Sequence, residues 1–231
     1  MTARHRFVAG LALVTAISLS ACSDSGSQEA DQSPAEVLAE AKRNLDDTSG
    51  VHVVLATEQL PKGVNGVVSA DGIGTHAPAF EGDLQVASGG ITADAAVVAV
   101  DNVVYAKLPF TTSFAEIDPA DYGAPDPAEL MSTDAGLSSL LTEAADVEEG
   151  EPERSGETVV TTFTGTVPGD VVAAIIPSAS AEDTFDATFT ITEDGLLNEA
   201  VLAGPFYPDA EDVTYTIEFD EYDTDREITA P

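Results

Sequence analysis

Apolar and polar residues alternate most strictly in the last third of the chain. Phe185, Ala187, Phe189 and Ile191 interleave with Asp186, Thr188, Thr190 and Thr192, and Val213, Tyr215, Ile217 and Phe219 interleave with Thr214, Thr216, Glu218 and Asp220. A period of two places one set on a dry sheet face and the other in water. Asp194-Gly195 predicts a hairpin turn followed by a return strand. Between Val51 and Leu108, runs of Val, Ile, Thr and Ala are broken by Pro61, Asn65-Gly66, Pro78, Gly89-Gly90 and Asp101-Asn102. This texture predicts about five antiparallel strands in meander order. One of them puts Leu84 and Val86 on one face and Asp83 and Gln85 on the other. Val53, Leu55, Val98 and Val100 are assigned to the same dry face as Leu84.

Helical spacing interrupts the strands in three places. Ser33-Pro34-Ala35-Glu36 is a capping box with proline at the first helical position. Val37, Leu38, Ala41 and Leu45 then form one apolar stripe, which predicts a helix of about three turns before Gly50. Asp126-Pro127-Ala128-Glu129 repeats the cap signature, and Leu137, Leu140, Leu141 and Ala144 have i, i+3, i+4, i+7 spacing. The segment Val171 to Ile176, with Val172, Ile175 and Ile176, is apolar nearly all round, so a helix there would be buried. Roughly eight strands share a dry face, and the helical segments are what can cover it. The expected class is α+β, a curved antiparallel β-sheet with helices covering its concave face. That face either collapses into a solid core or encloses an apolar ligand. Small residues assigned inward (Ala87, Ala96, Ala99, Ala173, Ala174 and Ala187) favour a cavity.

The N-terminus fixes where such a domain works. Arg4-His5-Arg6, an apolar run from Phe7 to Ile17 and Leu19-Ser20-Ala21-Cys22 form the pattern of a secretory leader. The apolar run falls short of the ~20 residues that span a membrane. Leu-Ser-Ala-Cys looks like a bacterial lipobox, in which the cysteine thiol is acylated and becomes the mature N-terminus. Three regions are expected: a lipoprotein signal peptide at 1–21, an acylated flexible tether at 22–32 and one domain at 33–231. Cys22 is the only cysteine, so no disulfide can form within the chain.

Charge and the shortage of chemistry narrow the function. The chain has 8 Lys and Arg against 42 Asp and Glu, a net charge of −34. Arg4 and Arg6 lie in the leader, which leaves Lys42, Arg43, Lys62, Lys107, Arg154 and Arg226 as the basic residues of the mature chain. Such a field repels phosphate backbones, so nucleic acid is not an expected partner. His52 and His76 have no ligand or nucleophile at motif spacing. No serine elbow or phosphate-cradling loop is found, and Asp223, Asp225 and Glu227 lack the turn glycine of a calcium loop. No enzyme, cofactor or metal is expected.

The ordered set Gly82-Asp83-Leu84-Gln85-Val86, Gly89-Gly90, Val97 to Ala106, Asp126-Pro127, Gly136-Leu137, Leu140-Leu141, Gly165-Thr166-Val167 and Ile176-Pro177, with the lipobox before it, resembles a known family. These are the mycobacterial and actinobacterial lipoproteins of the LppX and LprA/LprF/LprG type. The resemblance implies a half-barrel closed by helices around an apolar cavity. It also implies a cell-envelope lipoprotein on the extracytoplasmic face of the membrane, carrying acylated lipids or glycolipids from the inner membrane toward the outer envelope. Its partners would be the lipid, the membrane through the anchor on Cys22, and a membrane transporter. The expected cavity residues are Val53, Leu55, Leu84, Val86, Val98, Val100, Leu137, Leu141, Val172, Ile175, Ile176, Phe189 and Ile191. The competing expectation is a structural or partner-binding lipoprotein with a filled core and no lipid.

Overall fold

A computed structural model describes residues 32–58, 60–122 and 124–231. The leader, Cys22 and nearly all of the expected tether lie outside the described residues.

The domain opens with α1 (Pro34–Asp47), 14 residues long. The Ser33 backbone N–H and hydroxyl both reach the Glu36 carboxylate, at 2.8 and 2.7 Å, which closes the capping box. Leu38, Ala41 and Leu45 are the buried stripe. Five strands follow in meander: β1 (Gly50–Ala56), β2 (Gly66–Thr75), β3 (Ala79–Ser88), β4 (Ile91–Val100) and β5 (Val103–Lys107). The β3–β4 turn has Gly89 and Gly90 at φ 59° and 80°, and the β4–β5 turn has Asp101 and Asn102 at 54° and 60°. These are the left-handed pairs that tight hairpins need.

Short elements then cross to the other half. They are β6 (Ala115–Ile117), two single 3₁₀ turns at Pro119–Tyr122 and Glu129–Met131, α2 (Ser139–Glu143), β7 (Ala145–Glu149) and β8 (Glu153–Ser155). The long strand β9 (Thr158–Pro168), α3 (Gly169–Ile175), β10 (Thr184–Thr192), β11 (Leu197–Gly204) and β12 (Val213–Asp220) complete the domain. All pairings are antiparallel, in the order β6-β5-β4-β3-β2-β1-β12-β11-β10-β9-β7, with β8 also on β9. The first and last long strands pair, Val53 opposite Phe219 and Leu55 opposite Ile217, so two meanders join into one sheet.

The sheet has twelve strands rather than roughly eight. The extra ones, β6, β7 and β8, are three to five residues long and almost wholly exposed, so no apolar alternation marks them. The helix expected at Leu137–Ala144 is only the five-residue α2. The cap signature at Asp126 produces a 3₁₀ turn, with Asp126 Oδ1 accepting from the Ala128 N–H at 2.9 Å.

The concave face divides in two. On the β9–β12 side, α1, α2 and α3 pack down on Phe163, Phe185, Phe189, Ile191, Leu197 and Ile217, each nearly inaccessible to solvent. Around β9 and β10 this half is a solid core, while Leu202 of β11 and Tyr215 and Ile217 of β12 also border a space shared with β1 and β2. On the β2–β5 side a smaller cluster of Phe80, Leu84, Ala95, Val97, Ala99, Val104 and Ala106 is joined from the covering segment by Ala128. No described α-helix covers this half; residues 117–122 and 124–131 do. The covering segment is held from α1. Lys42 Nζ bonds Asp46 at 2.6 Å, the Thr133 carbonyl at 2.8 Å and Ser138 Oγ at 3.1 Å. His76, in the β2–β3 turn, lies between the Met131 and Leu45 carbonyls, each 2.7 Å from a ring nitrogen.

Candidate functional site

Between the thinly covered half of the sheet and the segment above it lies an apolar cavity with two adjoining chambers. The inner chamber has about 80 Å³ open to the centre of a water-sized sphere, the outer about 370 Å³. Leu84, Ala124, Pro125 and Pro127 line both, so Leu84 stands at their junction. The outer chamber alone is within the ~300–1,000 Å³ range of small-molecule pockets.

Register explains why the walls are apolar. In antiparallel pairs, directly opposed residues share a face. Phe80, Ala99 and Val104 are opposed in turn across β3, β4 and β5 on the concave face, and Glu81, Val98 and Tyr105 on the convex face. Ala95, Val97, Val104 and Ala106 therefore line the outer chamber. Glycines make the room. Gly72 and Gly82 face each other across β2 and β3, and a Cβ on either would meet the Phe80 ring at 2.6 or 2.8 Å. The ring thus lies close against bare backbone. A Cβ at Gly66 would strike the Tyr207 hydroxyl at 2.2 Å, and one at Gly74 would strike Met131 at 2.6 Å.

The inner chamber has two polar side chains in its wall, Tyr207 and Tyr215. Tyr215 donates to the Val67 carbonyl at 2.7 Å, so Tyr207 is the donor in the 2.8 Å bond between the hydroxyls. Both phenols are satisfied within the wall. Burial pushes both above the ordinary tyrosine range, Tyr215 much further because its bonding with Tyr207 acts in the same direction. They stay neutral at any physiological pH. Phe206 stacks edge-on against both Tyr215 and Phe185, with ring centroids 5.0 and 4.8 Å apart, and so links chamber wall to solid core. Among the described residues, no three His, Cys, Asp or Glu side chains converge to hold a metal. Asp223 and Thr224 instead bond Thr48 and Gly50 at the start of β1.

The thirteen expected cavity residues fall in three places. Val53, Leu55, Leu84, Leu137 and Ile176 line the inner chamber, and Val86 joins Leu84 in the outer one. Leu141, Val172, Ile175, Phe189 and Ile191 are buried in the solid core and line neither chamber. Val98 and Val100 require a correction: they are on the convex face of β4. Val97-Val98-Ala99-Val100 is continuously apolar, so alternation cannot set its phase; the pairing of Val98 with Glu81 does. Ala99 and Ala187 point inward as expected. Ala87 and Ala96 share the convex face with Gln85 and Asp83, and Ala174 is exposed. Sequence reasoning missed the covering segment, with Ala124, Pro125, Pro127, Leu130 and Met131, and the paired tyrosines. Asp126-Pro127 was legible as a turn, but nothing local says which sheet face it overlies.

On that geometry the comparisons with known proteins can be placed. Residues 33–230 match the LppX_LprAFG lipoprotein family, and the chain belongs to it. Membership sets the chain among lipoproteins rather than enzymes. It is 25% identical over 190 residues to the lipoarabinomannan carrier protein LprG of Mycobacterium tuberculosis and of Mycobacterium bovis, covering 78% of this chain and 79% of theirs. In fold it is similar to LprF from Mycobacterium bovis, with a TM-score of 0.69 at 16% identity, covering 86% of this chain and 96% of that one. It is also similar to lipoprotein LppX from Mycobacterium tuberculosis, with a TM-score of 0.61 at 19% identity, covering 85% of this chain and all of that one.

Proposed function

We propose that this lipoprotein carries acylated lipids or glycolipids, holding their acyl chains in the two-chamber cavity while the head group stays in water. The carrying observation is the cavity itself: a large apolar space whose inner wall has two polar side chains, Tyr207 and Tyr215, bonded to each other and to the Val67 carbonyl, and whose outer wall adds Ser88 and Tyr122. Such a wall offers an incoming molecule apolar contact and little else. The name of the LprG relatives, a lipoarabinomannan carrier, points the same way.

The energetics make a carrier necessary and catalysis unnecessary. Burying one CH₂ is worth roughly 0.8 kcal/mol, so a sixteen-carbon chain costs on the order of 12 kcal/mol to expose to water. With two or three chains per lipid, unassisted transit through water is negligible. A protein that replaces the bilayer with an equally apolar interior removes that barrier with no reacting group.

In this reading Cys22 bears the acyl anchor, residues 22–32 tether the domain outside the cytoplasmic membrane, and residues 33–231 shuttle lipid outward from a membrane transporter toward the outer envelope. Two acyl signals are needed for firm anchoring, which a processed lipoprotein cysteine supplies. Fatty-acid labelling of the wild type and of Cys22→Ala tests the anchor; equal label in both overturns it. Solvent extraction of the purified protein followed by mass spectrometry tests the cargo. Stoichiometric acylated lipid is the expected result. Protein that emerges free of lipid, and takes up none from vesicles, returns the domain to the structural or partner-binding alternative.

A further inference from the structure

We propose that the mouth of the outer chamber, built from the β3–β4 hairpin and the β5–β6 loop, docks directly on the surface of a lipid bilayer. This deepens the carrier reading and rests on it for its purpose, because docking lets an acyl chain pass from bilayer to cavity without crossing water.

Three large apolar side chains are exposed among the described residues: Phe110, which is fully exposed, Ile91 at 71% and Leu108 at 38%. They are not scattered. All three line the outer chamber, from two separate segments. Phe110 is held at φ 70°, a left-handed conformation that a bulky residue adopts only at a cost. Exposed apolar groups clustered round the entrance of an apolar cavity mark an interaction site rather than ordinary surface.

Charge selects the occupant. In a chain with 42 acidic residues, none falls within 84–93 or within 102–115, the segments that carry the three exposed apolar side chains; the nearest acids are Asp83, Asp94, Asp101 and Glu116 at their ends and Asp118 and Asp121 on the covering segment. The second of the two segments carries one cation, Lys107, and a run of hydroxyls, Thr111-Thr112-Ser113, beside Phe110. Elsewhere the net charge of −34 repels an anionic surface at distances up to about 8 Å at physiological salt. The mouth is the window through which apolar side chains can meet the head-group layer, with hydroxyls to bond phosphates and esters. Repulsion everywhere else turns the window toward the bilayer.

The chain has no tryptophan, so Phe110→Trp introduces a single reporter. The full-length variant is mixed with phosphatidylcholine vesicles, with and without brominated acyl chains. Ser155→Trp, on the exposed strand β8 at the opposite edge of the sheet, is the control. The expected result is a blue shift of the Phe110→Trp emission, quenching by brominated lipid together with co-sedimentation of the protein with the vesicles, and no quenching of the Ser155→Trp reporter. In the double variant Ile91→Ser, Phe110→Ser, lipid transfer between vesicles should slow at least fivefold, and co-sedimentation of the protein with phosphatidylcholine vesicles should fall by at least as much. No shift with vesicles overturns the docking. So does a blue shift that grows with protein concentration alone, which would put a second copy on the mouth. Quenching without co-sedimentation of the protein with the vesicles also overturns it, as uptake into the cavity without docking. Extractable lipid is measured separately on the wild type, so failure of the carrier reading is told apart from failure of the docking.

Discussion

Tyr207 and Tyr215 meet hydroxyl to hydroxyl at 2.8 Å in the wall of the inner chamber, and Tyr215 donates its own hydrogen bond to the Val67 carbonyl. The order of donation makes the two residues unequal. Tyr207→Phe removes a donor but leaves Tyr215 bonded to Val67, and should cost about 1 kcal/mol or less. Tyr215→Phe strands both the Tyr207 hydroxyl and the Val67 carbonyl, and should cost about 1–3 kcal/mol, the price of unpaired buried polar groups. Denaturant unfolding of the two variants measures the difference. A larger loss for Tyr207→Phe would reverse the assigned donor order.

The division of the concave face into a solid half and a hollow half has a direct test in overpacking. Leu84 stands where the chambers join, so Leu84→Trp has empty space to occupy. Ile191 is buried against the helices of the solid half. Ile191→Trp should lower stability by ~1–3 kcal/mol or more, because a well-packed core must shift to admit the indole. Leu84→Trp should leave the unfolding midpoint nearly unchanged and abolish lipid uptake. Equal destabilisation by both would mean that the β2–β5 half is as tightly packed as the other.

The same division explains what could be read from the sequence. Strands with one wet and one dry face were legible in phase: Phe185 to Ile191, Val213 to Phe219 and Leu84 with Val86 all turn the expected way. β4 was not, because Val97 to Val100 is apolar on both faces and only pairing with Glu81 fixes its phase. Leu141, Val172, Ile175, Phe189 and Ile191 were expected in the cavity and are buried in the core instead, because an inward position is core where a helix lies above and cavity where only a loop does. That distinction depends on contacts between distant segments, such as Lys42 with Thr133 and His76 with Met131, which have no local signature. Small inward alanines were expected to leave the room; Gly66, Gly72, Gly74 and Gly82, which had no part in that expectation, let Tyr207, Phe80 and Met131 lie against bare backbone.

On the convex face His52 is clasped by two carboxylates, Nε2 3.0 Å from Asp71 and Nδ1 2.6 Å from Asp220. The hydrogen bond with Asp71 is the main cause of a pKa raised above the ordinary histidine value; that with Asp220 adds to it and partial burial opposes it. A raised folded-state pKa gives stability that is complete below the unfolded value of about 6.5 and drains away as pH climbs through the higher folded value. His52 links β1 to β2 and β12, the joint between the two meanders. His52→Gln should therefore be less stable than wild type at about pH 6, with the gap narrowing steadily toward about pH 8. Unfolding midpoints of both proteins across that range are the measurement. A gap that widens with pH would contradict the assignment.

The cations of the domain decide which head groups it favours. Lys42 is committed to Asp46 at 2.6 Å and Arg226 to Glu81 at 2.6 Å. Of the six basic residues outside the leader, Lys107 alone falls in the segments that form the cavity mouth. One lysine cannot offset the field of a chain carrying 42 acids when screening is weak. At about 10 mM salt the Debye length is about 30 Å, so a head group at the mouth feels the whole domain; at 150 mM it is about 8 Å, and only the charges nearest the mouth still act. Neutral or sugar-capped acyl lipids should therefore bind at least as well as anionic phospholipids of matched chains, and the affinity of the anionic lipid should rise with salt. Parallel titrations of a neutral and a phosphoinositide lipid at the two ionic strengths provide the test. Tighter binding of the anionic lipid, strongest at low salt, would require a basic rim that these six residues do not form, and the electrostatic argument would fail with it.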